Sequence, residues 1–424
     1  MPKRRTVSKA QGGVIVLLFT VLLLICGMFY SLTGIDVGGL FSETETPSTD
    51  MTVTLPPLFA TETPFLPDVN APTSTPVVIG RAPTATAPFV GGWWQVYFTD
   101  PINHHDPNVI SGSVEEKLIE YINAAQTSIH IASFEFDLTV TAQALIAAKQ
   151  RGVDVRWVTD DENGILADEE PGHGQFAMLQ NAGIEVKDDL GRSAFMHNKF
   201  WIFDGQFVWT GSTNITKSGI YDQNNNVIVV RSPELAAIYE REFDEMWNGQ
   251  FGAKSPSTLG DQALEINGSQ VLVIFTSEDP VLENVIIPFV QGAESSVYFM
   301  AFSFTDYPLA DAMIQRRLHG VDVAGVFEAF GSTTEASELR TLFCGDVPVR
   351  QDGNGGFLHH KVIVVDGRYV ITGSFNFSTR AEEINDENVI VIDNPDIARL
   401  YTEEFERAWD LGNDPNPFEM ACEN

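Results

Sequence analysis

A long internal repeat constrains this chain more than any other feature. The segment 128–136 (SIHIASFEF) matches 296–304 (SVYFMAFSF) at an offset of 168, whereas later landmarks such as Tyr239 and Tyr401 keep an offset of 162. The first copy therefore carries a loop six residues longer, which we place in the acidic stretch 160–173. The copies exceed the unit of a solenoid, so the repeat predicts two similar globular lobes.

Within each copy, short apolar runs alternate with amphipathic segments, which is typical of an α/β fold. In the first copy the pattern predicts strands at 96–99, 129–134 and 153–158 and helices at 114–125 and 141–151. Each copy closes with a helix that begins at a capping residue followed by proline, Ser232-Pro233 in one and Asn394-Pro395 in the other. We expect lobe 1 at 91–250, a connector at 251–268 and lobe 2 at 269–424. Each lobe should be a mixed β-sheet flanked by helices.

One constellation of polar residues occurs in both copies with identical spacing. It consists of a histidine, a lysine two residues later, an aspartate and a Gly-Ser-x-Asn segment. The residues are His197, Lys199, Asp204, Gly211, Ser212 and Asn214 in the first copy, and His359, Lys361, Asp366, Gly373, Ser374 and Asn376 in the second. Six matched positions that recur at corresponding places of a repeat are not a chance event.

The geometry of this constellation follows from turn chemistry. Asp204-Gly205 lies between apolar runs and predicts a two-residue hairpin turn, in which Phe203 would pair with Gln206 and therefore His197 with Ser212. Asp366-Gly367 predicts the same turn in the second copy. Imidazole, ammonium, hydroxyl and carboxamide groups would then converge on one patch, while the aspartates would face elsewhere and serve as turn residues with a structural ion pair.

Such a patch suits a phosphoryl group. Lysine supplies a cation, and serine and asparagine supply neutral donors for phosphoryl oxygens. One histidine can attack phosphorus while another protonates the leaving alcohol, and this chemistry requires no metal, so we expect no cofactor.

The doubled motif resembles the H-x-K-x4-D and G-S-x-N signature of the phospholipase D superfamily, over about residues 91–424. The resemblance implies two α/β lobes related by a pseudo-twofold axis, with one active site between them and cleavage through a phosphohistidine. It implies His197 as nucleophile, His359 as general acid, Lys199, Lys361, Asp204 and Asp366 as further motif residues of the catalytic set, and Ser212, Asn214, Ser374 and Asn376 as phosphate-binding residues.

The family commonly places a carboxylate after each motif to orient its histidine. Glu387 stands 28 residues beyond His359, whereas Asn225 stands 28 residues beyond His197. We therefore expect Glu387 to orient His359 and Asn225 to orient His197. A carboxylate partner favours the imidazolium that an acid needs, and an amide leaves the ring neutral for attack.

The amino terminus predicts a membrane anchor. Residues 14–30 are free of charge, and four basic residues precede them: Lys3, Arg4, Arg5 and Lys9. This pattern favours a single transmembrane helix at 14–35, a cytoplasmic tail at 1–13 and everything downstream outside. A cleaved signal peptide and a lipoprotein signal ending at Cys26 are the alternatives. Residues 36–90, rich in Thr, Pro and Ser, predict a disordered linker.

Charge narrows the choice of partner. The net charge is −33, from 25 Lys and Arg against 58 Asp and Glu, and this disfavours nucleic acid. We therefore expect a monomer that acts on a phosphodiester at a phospholipid membrane and hydrolyses a phospholipid to phosphatidic acid and free headgroup. A cardiolipin synthase-like phosphatidyltransferase, an extracytoplasmic nuclease and a non-catalytic lipid-binding module are the alternatives.

Two smaller patterns concern an acidic loop and a pair of cysteines. The run Asp160-Asp161-Glu162-Asn163-Gly164 weakly resembles a calcium loop, but it lacks the terminal glutamate and predicts a solvated loop. Cys344 and Cys422 could pair in an extracytoplasmic protein.

Overall fold

Two mixed β-sheets, one from each copy of the repeat, organise the protein in a computed structural model that describes residues 92–255 and 263–422. We call the part built on the first sheet lobe 1 and the part built on the second lobe 2. The strands of lobe 1 are β1 (Trp94–Phe98), β2 (Ser128–Ser133), β3 (Asp154–Val158), β4 (Glu185–Lys187), β5 (Lys199–Phe203), β6 (Phe207–Gly211) and β7 (Asn226–Arg231). The strands of lobe 2 are β8 (Ala263–Ile266), β9 (Ser269–Phe275), β10 (Ser296–Ala301), β11 (Asp322–Phe327), β12 (Val349–Gln351), β13 (Lys361–Val365), β14 (Tyr369–Gly373) and β15 (Asn388–Asp393).

The two sheets have equivalent topology. Their strand orders are β1-β7-β6-β5-β2-β3-β4 and β12-β11-β10-β13-β14-β15-β9-β8. In each, three strands run parallel (β2-β3-β4 and β10-β11-β12) and the other pairings are antiparallel. Lobe 2 differs by the additional hairpin strand β8. The α/β class and the two-sheet architecture expected from the repeat are confirmed.

Helices cover the sheets. The α-helices are α1 (Val114–Ala124), α2 (Thr139–Gln150), α3 (Gln175–Asn181), α4 (Pro233–Trp247), α5 (Ile287–Gln291), α6 (Tyr307–Leu318), α7 (Leu339–Cys344), α8 (Thr379–Glu383), α9 (Pro395–Leu411) and α10 (Pro417–Met420). Single π-helical turns occupy Asp161–Leu166, Ser218–Asp222 and Leu282–Ile286, and 3-10 turns occupy Ala167–Glu169 and Gly252–Lys254. The elements predicted for the first copy lie within two residues of these bounds.

The closing helices begin as their sequences predict. Ser232 accepts a hydrogen bond from the backbone N–H of Leu235, and Asn394 accepts from those of Asp396 and Ile397, with proline at the first helical turn. The missing proline N–H costs nothing at this position, because the first turn of a helix has no intrahelical acceptor for it.

Side-chain alternation divides the core into three clusters. In β5, Phe200 and Ile202 face inward into a cluster that runs across both lobes and includes residues of α4 and α9. Trp201 and Phe203 face outward into a cluster specific to lobe 1, under α1 and α2. Lobe 2 has its own outer cluster. Both sheets are thus covered on both faces, which is why their central strands are continuously apolar.

The Asp-Gly turns form as expected, but the strand register is shifted by one residue. Asp204 and Gly205 have φ of 55° and 59°, and Asp366 and Gly367 have 55° and 58°, as a type I′ turn requires. Gln206 N donates to Phe203 O and closes the first turn. The carbonyl oxygen of Gln206 accepts from Ser232 N, so Gln206 does not pair with a residue of β5 in the strand ladder. Phe203 then pairs with Phe207.

This shift corrects the predicted pairing of the motif residues. Lobe 2 shows the same register, with Val365 opposite Tyr369. Because one residue of register reverses the face of every side chain, the predicted opposition of His197 to Ser212, and of His359 to Ser374, is wrong.

Two expectations concern the ends of the chain. Cys344, at the end of α7, forms a disulfide with Cys422, which ties the carboxyl-terminal segment to lobe 2. Within residues 92–255 and 263–422 no helix is long and apolar enough to cross a bilayer. The anchor predicted at 14–35 and the linker at 36–90 lie outside the described residues.

Candidate active site

Each motif histidine lies two residues before a central strand and is fixed by backbone hydrogen bonds to the opposite lobe. His197 N donates to Asp386 O at 2.9 Å, immediately before β15, and His359 N donates to Asn224 O at 2.8 Å, just before β7. The same segments return hydrogen bonds, from Asp386 N to Phe195 O and from Asn224 N to Phe357 O. The two lobes therefore position each other's histidines.

The ring partners also cross between lobes. Nδ1 of His197 lies 2.6 Å from Oε2 of Glu387, and Nδ1 of His359 lies 2.9 Å from Oδ1 of Asn225 and 3.1 Å from Ser212 O. All three partners are acceptors, so each histidine carries its proton on Nδ1 and keeps Nε2 for the substrate. The Asn225 orientation is set by its amide nitrogen, which donates to Gly219 O.

This pairing corrects the expected partners. The spacing within each copy predicted that Glu387 would orient His359 and that Asn225 would orient His197. In the sheet, however, β14 separates β13 from β15, so His359 and Glu387 lie two strands apart, about 10 Å. The facing lobe supplies the nearer partner.

Ser212 and Ser374 lie behind the site. Ser212 is fully buried, donates to Asn225 Oδ1 at 2.7 Å and accepts from Asn226 N at 3.1 Å. Ser374 accepts from Asn388 N and donates to Glu387. Each serine hydroxyl donates its proton to the residue that orients a histidine, Asn225 or Glu387. The expected phosphate-binding role of the two serines therefore does not fit this geometry. They position the residues that orient the histidines.

The motif glycines explain this close approach. Gly211 has φ of 147°, and a Cβ on it would lie 2.2 Å from Asn226 O. Gly373 has φ of 143°, with Asn388 O at 2.1 Å from the same built position. A side chain at either position would push β7 or β15 away from the serine that follows.

The motif lysines are buried beside the histidines. Lys199 Nζ donates to His197 O and Lys361 Nζ to His359 O, each at 2.8 Å. Burial lowers the pKa of Lys199 to about 8, against the opposing charges of Glu387 and Glu135. Burial and the charge of Lys199 hold the pKa of Lys361 well below its usual range. Each ammonium retains donors beyond its single hydrogen bond.

Burial also depresses the pKa of both histidines. For His197, burial and the two lysines outweigh the charge of Glu387. For His359, which has only the neutral Asn225 as its side-chain partner, burial and the charges of Lys361 and Lys199 hold the pKa well below 6.5. Burial acts to raise the pKa of Glu387, but His197 and Lys199 outweigh it and keep this carboxylate ionised.

The motif asparagines keep unused hydrogen-bonding capacity. Asn214 Nδ2 donates to Glu135 at 3.2 Å, while its Oδ1 is buried without a hydrogen-bond partner among the described residues. The Oδ1 of Asn376 is likewise buried and unpaired within the described chain. Each Oδ1 can accept from a donor group of a ligand, whereas a phosphoryl oxygen would have to bind an N–H of Nδ2, which has two of them.

Asp204 and Asp366 lie away from the site. Asp204 accepts hydrogen bonds from the backbone N–H groups of Gln126, Thr127 and Ser128 at 2.6 to 3.1 Å, and Asp366 binds those of Glu294, Ser295 and Ser296 in the same way. These bonds outweigh partial burial and lower the pKa of both carboxyls. Both aspartates occupy the turn end of their strands, where they hold the backbone that precedes β2 and β10. Neither forms an ion pair within the described chain.

A second pair of residues joins the lobes and was missed in the sequence. Asn226 Oδ1 accepts from Thr372 and Tyr401 of lobe 2. Asn388 Oδ1 accepts from Thr210 at 2.7 Å and lies 3.5 Å from the Tyr239 hydroxyl of lobe 1. Identical asparagines at the repeat offset, each next to a histidine partner, were the available signal.

His360 is not part of the site. It faces the opposite side of its strand, where Nε2 lies 3.0 Å from Glu404 and Nδ1 lies 3.1 Å from Asn226 Nδ2. It is fully buried and packed on that face. Among residues 92–255 and 263–422, two carboxylate groupings could hold a metal ion, and neither includes a motif residue: Asp160, Asp161 and Asp189, and Glu242, Glu245 and Glu278.

Comparison with known proteins finds relatives that match part of the chain. The mitochondrial cardiolipin hydrolase of Danio rerio is 31% identical over 143 residues, 34% of this chain and 59% of that protein. The phospholipase D of Rickettsia felis is 34% identical over 116 residues, 27% of this chain and 58% of that protein. The chain thus spans less than two thirds of the length of these curated relatives.

The fold extends further than these matches. A solved structure of the phosphatidylserine synthase of Haemophilus influenzae covers 76% of this chain and 87% of that chain with a TM-score of 0.58 at 16% identity, which shows a common fold. The family model described as "Cardiolipin synthase, PLD-like domain" matches residues 118–247 and 286–409, one segment in each lobe. Since these segments make up more than half of the sequence, the chain belongs to the phospholipase D superfamily.

Proposed function

We propose that this protein is a phosphodiesterase of the phospholipase D type, which hydrolyses a phospholipid to phosphatidic acid and free headgroup through a phosphohistidine. The observation that carries the proposal is the reciprocal pairing of His197 with Glu387 and of His359 with Asn225 across the lobes. A neutral His197 with a free Nε2, and a His359 that takes up a proton on Nε2 when substrate binds, can perform both halves of such a reaction beside two ammonium groups.

His197 is the proposed nucleophile. Its Nε2 attacks phosphorus, a P–N bond forms, and the bond from phosphorus to the headgroup oxygen breaks. The imidazole becomes positively charged while Nδ1–H stays bonded to Glu387, whose carboxylate stabilises that charge. From the sequence, the neutral Asn225 was expected beside His197, where it would leave the ring neutral for attack. In the structure the partner is a carboxylate, and its proposed role is to stabilise the charge that attack creates.

His359 is the proposed general acid and base. It gives its Nε2 proton to the leaving headgroup oxygen and then takes a proton from the water that attacks the phosphohistidine, which restores both histidines. Its depressed pKa makes imidazolium a strong acid but a scarce one in the free enzyme. A bound phosphodiester anion offsets the charges of Lys199 and Lys361 and favours its protonation.

Phosphoryl oxygens are held by cations and amides. Lys199 and Lys361 supply the positive charge, and Asn214 and Asn376 supply the remaining contacts. Asn225, Glu387, Ser212 and Ser374 are positioning residues in this scheme. No cofactor takes part in any step.

A phosphatidyltransferase is the second candidate. The family model named for cardiolipin synthase and the fold shared with a phosphatidylserine synthase favour it, because an alcohol can resolve the same phosphohistidine in place of water. Nucleic acid is the weaker substrate class, since a chain of net charge −33 repels a polyanion.

The proposed arrangement in the cell follows the sequence. A transmembrane helix at 14–35 and a linker at 36–90 would hold a monomeric catalytic unit near lipid on the extracytoplasmic side, with residues 1–13 in the cytoplasm. Lobe 1 at 91–250, the connector at 251–268 and lobe 2 at 269–424 would form that unit about a pseudo-twofold axis. The reciprocal hydrogen bonds of the two histidines support the axis.

A substrate panel tests the function. The purified chain is incubated with phosphatidylcholine, phosphatidylglycerol, cardiolipin and single-stranded DNA, with and without glycerol, beside the His197→Ala variant. Release of free headgroup that the variant lacks supports hydrolysis, and a glycerol adduct or net cardiolipin synthesis supports transfer. Cleavage of DNA alone would overturn the lipid proposal.

A further inference from the structure

Three aspartates of lobe 1 lie together beside the segment that leads to His197. Asp160, Asp161 and Asp189 each offer a carboxylate oxygen, and these oxygens lie within 4.8 Å of one another. We propose that they form a Ca²⁺-binding site. The sequence predicted a solvated loop here, which is wrong for Asp160: its side chain is fully buried, as is that of Asp189.

One oxygen in the cluster is available to a ligand. Asp189 Oδ1 accepts from Asp161 N at 3.0 Å, but its Oδ2 is buried and has no hydrogen-bond partner among residues 92–255 and 263–422. A buried carboxylate oxygen without a donor is costly, because it has lost water and gained nothing in return. A cation bound between the three carboxylates removes that cost.

Two cations among the described residues act on the cluster, Arg192 on Asp189 and Lys199 on Asp160, and neither forms an ion pair with it. Arg192 is close enough for its charge to act on Asp189, but its guanidinium is paired with Asp386 at 2.5 Å. Burial and the charge of Asp160 raise the pKa of Asp189 to about 7.

The repeat shows that the fold itself does not require three carboxylates. Asp160 accepts a hydrogen bond from Met196 N, the residue before His197. Glu328 stands at the equivalent place in lobe 2, where it accepts from Leu358 N, the residue before His359. The residue after Glu328 is Ala329, whereas lobe 1 has Asp161. Lobe 2 holds its histidine segment with Glu328 beside one further buried carboxylate, Asp352, so the third carboxylate of lobe 1, Asp161, is not needed for that purpose.

The donor set indicates the class of ion. Carboxylate oxygens without histidine or cysteine select hard cations, and Ca²⁺ tolerates irregular coordination completed by water better than Mg²⁺ does. A bound Ca²⁺ would join the π-helical turn Asp161–Leu166 to the segment around Asp189 and so brace the backbone that precedes His197.

Calorimetric titration of the full chain in detergent, after removal of divalent ions, tests the site with CaCl₂ itself. We expect saturable binding of one Ca²⁺ with a Kd of about 10⁻⁴–10⁻³ M, as in extracellular modules, and an increase in Tm. Asp189→Asn should weaken binding at least tenfold, and Asp161→Asn, at a partly exposed position, provides a second variant less prone to misfold. Glu162→Gln, an exposed carboxylate on the same turn, is the matched control and should bind within twofold of the wild type.

Three results would overturn the proposal. The first is no saturable binding up to about 10 mM Ca²⁺ at pH 8, where a proton no longer competes. The second is equal weakening by Glu162→Gln, which would indicate a general charge effect. The third is loss of binding in Glu278→Gln with none in Asp189→Asn, which would assign the ion to the other carboxylate grouping.

Discussion

Glu387 of lobe 2 binds the Nδ1 of His197 in lobe 1 at 2.6 Å, although the repeat places it with the motif of its own lobe. The reciprocal contact, from Asn225 of lobe 1 to His359 of lobe 2, is neutral. The two halves of the site are therefore related in geometry but differ in charge, and this difference distinguishes the roles of the histidines.

Removing the negative charge of Glu387 should lower kcat more than it changes KM. In Glu387→Gln the amide still accepts from Nδ1 but cannot neutralise the phosphoimidazolium, so we expect kcat to fall about 10²-fold, comparable to loss of one electrostatic stabiliser, with KM nearly unchanged. Steady-state kinetics on a water-soluble phosphodiester measures this. A kcat within twofold of the wild type would show that the charge of Glu387 is not needed for catalysis.

The covalent intermediate distinguishes the two histidines directly. With an aryl phosphodiester, whose leaving group needs no acid, His359→Ala should still form the phosphoenzyme but hydrolyse it slowly, because the base that activates water is missing. His197→Ala should form none. Acid-labile phosphate on the protein is measured after rapid quench, and mass spectrometry locates it. Phosphate on residue 359 of the wild type would exchange the two roles.

The depressed pKa values predict an acidic optimum. Attack requires neutral His197, and leaving-group departure requires protonated His359. Since both pKa values lie below 6.5 and that of His359 is lowered further, kcat/KM should peak below pH 6.5, in the range between the two pKa values, and fall about tenfold per pH unit above the higher one, that of His197.

Asn225→Asp is the test of that assignment. A carboxylate beside His359 favours imidazolium, so the maximum of kcat/KM should rise, and the alkaline limb should move to higher pH once the pKa of His359 exceeds that of His197. Asn214→Asp, which changes charge at an amide that does not contact either ring, is the control and should not move this limb in the same way. An unchanged maximum together with an unchanged alkaline limb in Asn225→Asp would show that another group sets them.

Asp204 should matter for stability and not for chemistry. Asp204→Ala removes acceptors for three backbone N–H groups at a partly exposed turn, and we expect the free energy of unfolding to fall by about 1–3 kcal/mol. The kcat of the folded enzyme should be unchanged. Denaturant unfolding and activity per folded molecule are compared, with Asp366→Ala as the equivalent in lobe 2. A hundredfold loss of kcat at unchanged stability would restore a catalytic role.

Deletion of residues 1–40 should separate proximity from chemistry. The chain beyond the basic amino terminus is strongly acidic, so its charge does not attract it to anionic lipid. We expect activity on detergent-dispersed substrate to survive and activity on intact vesicles to fall. Equal losses on both substrates would argue against a role for this segment as an anchor.

Local patterns carried much of the structure. The repeat predicted two α/β lobes, the Ser-Pro and Asn-Pro pairs predicted where α4 and α9 begin, and Asp-Gly predicted the type I′ turns. The caps, the turns and the alternation within each copy depend on residues within a few positions of one another, and the repeat is visible by comparing the sequence with itself, so the sequence is sufficient to predict them.

The errors share one cause, which is distance along the chain. The register of β5 on β6 depends on Ser232 capturing the carbonyl of Gln206, and the burial of Asp160 depends on Met196 and Asp189, which lie in other segments. Neither partner is visible in the local pattern.

The sequence by itself determined which residues carry the chemistry: a histidine and a lysine, duplicated at fixed spacing. Only the tertiary structure decided their partners, because Glu387 and His359 stand on strands separated by β14, while the facing lobe brings Glu387 to His197. Spacing along one copy fixes which end of a sheet a residue occupies. The packing of the two lobes fixes what it touches there.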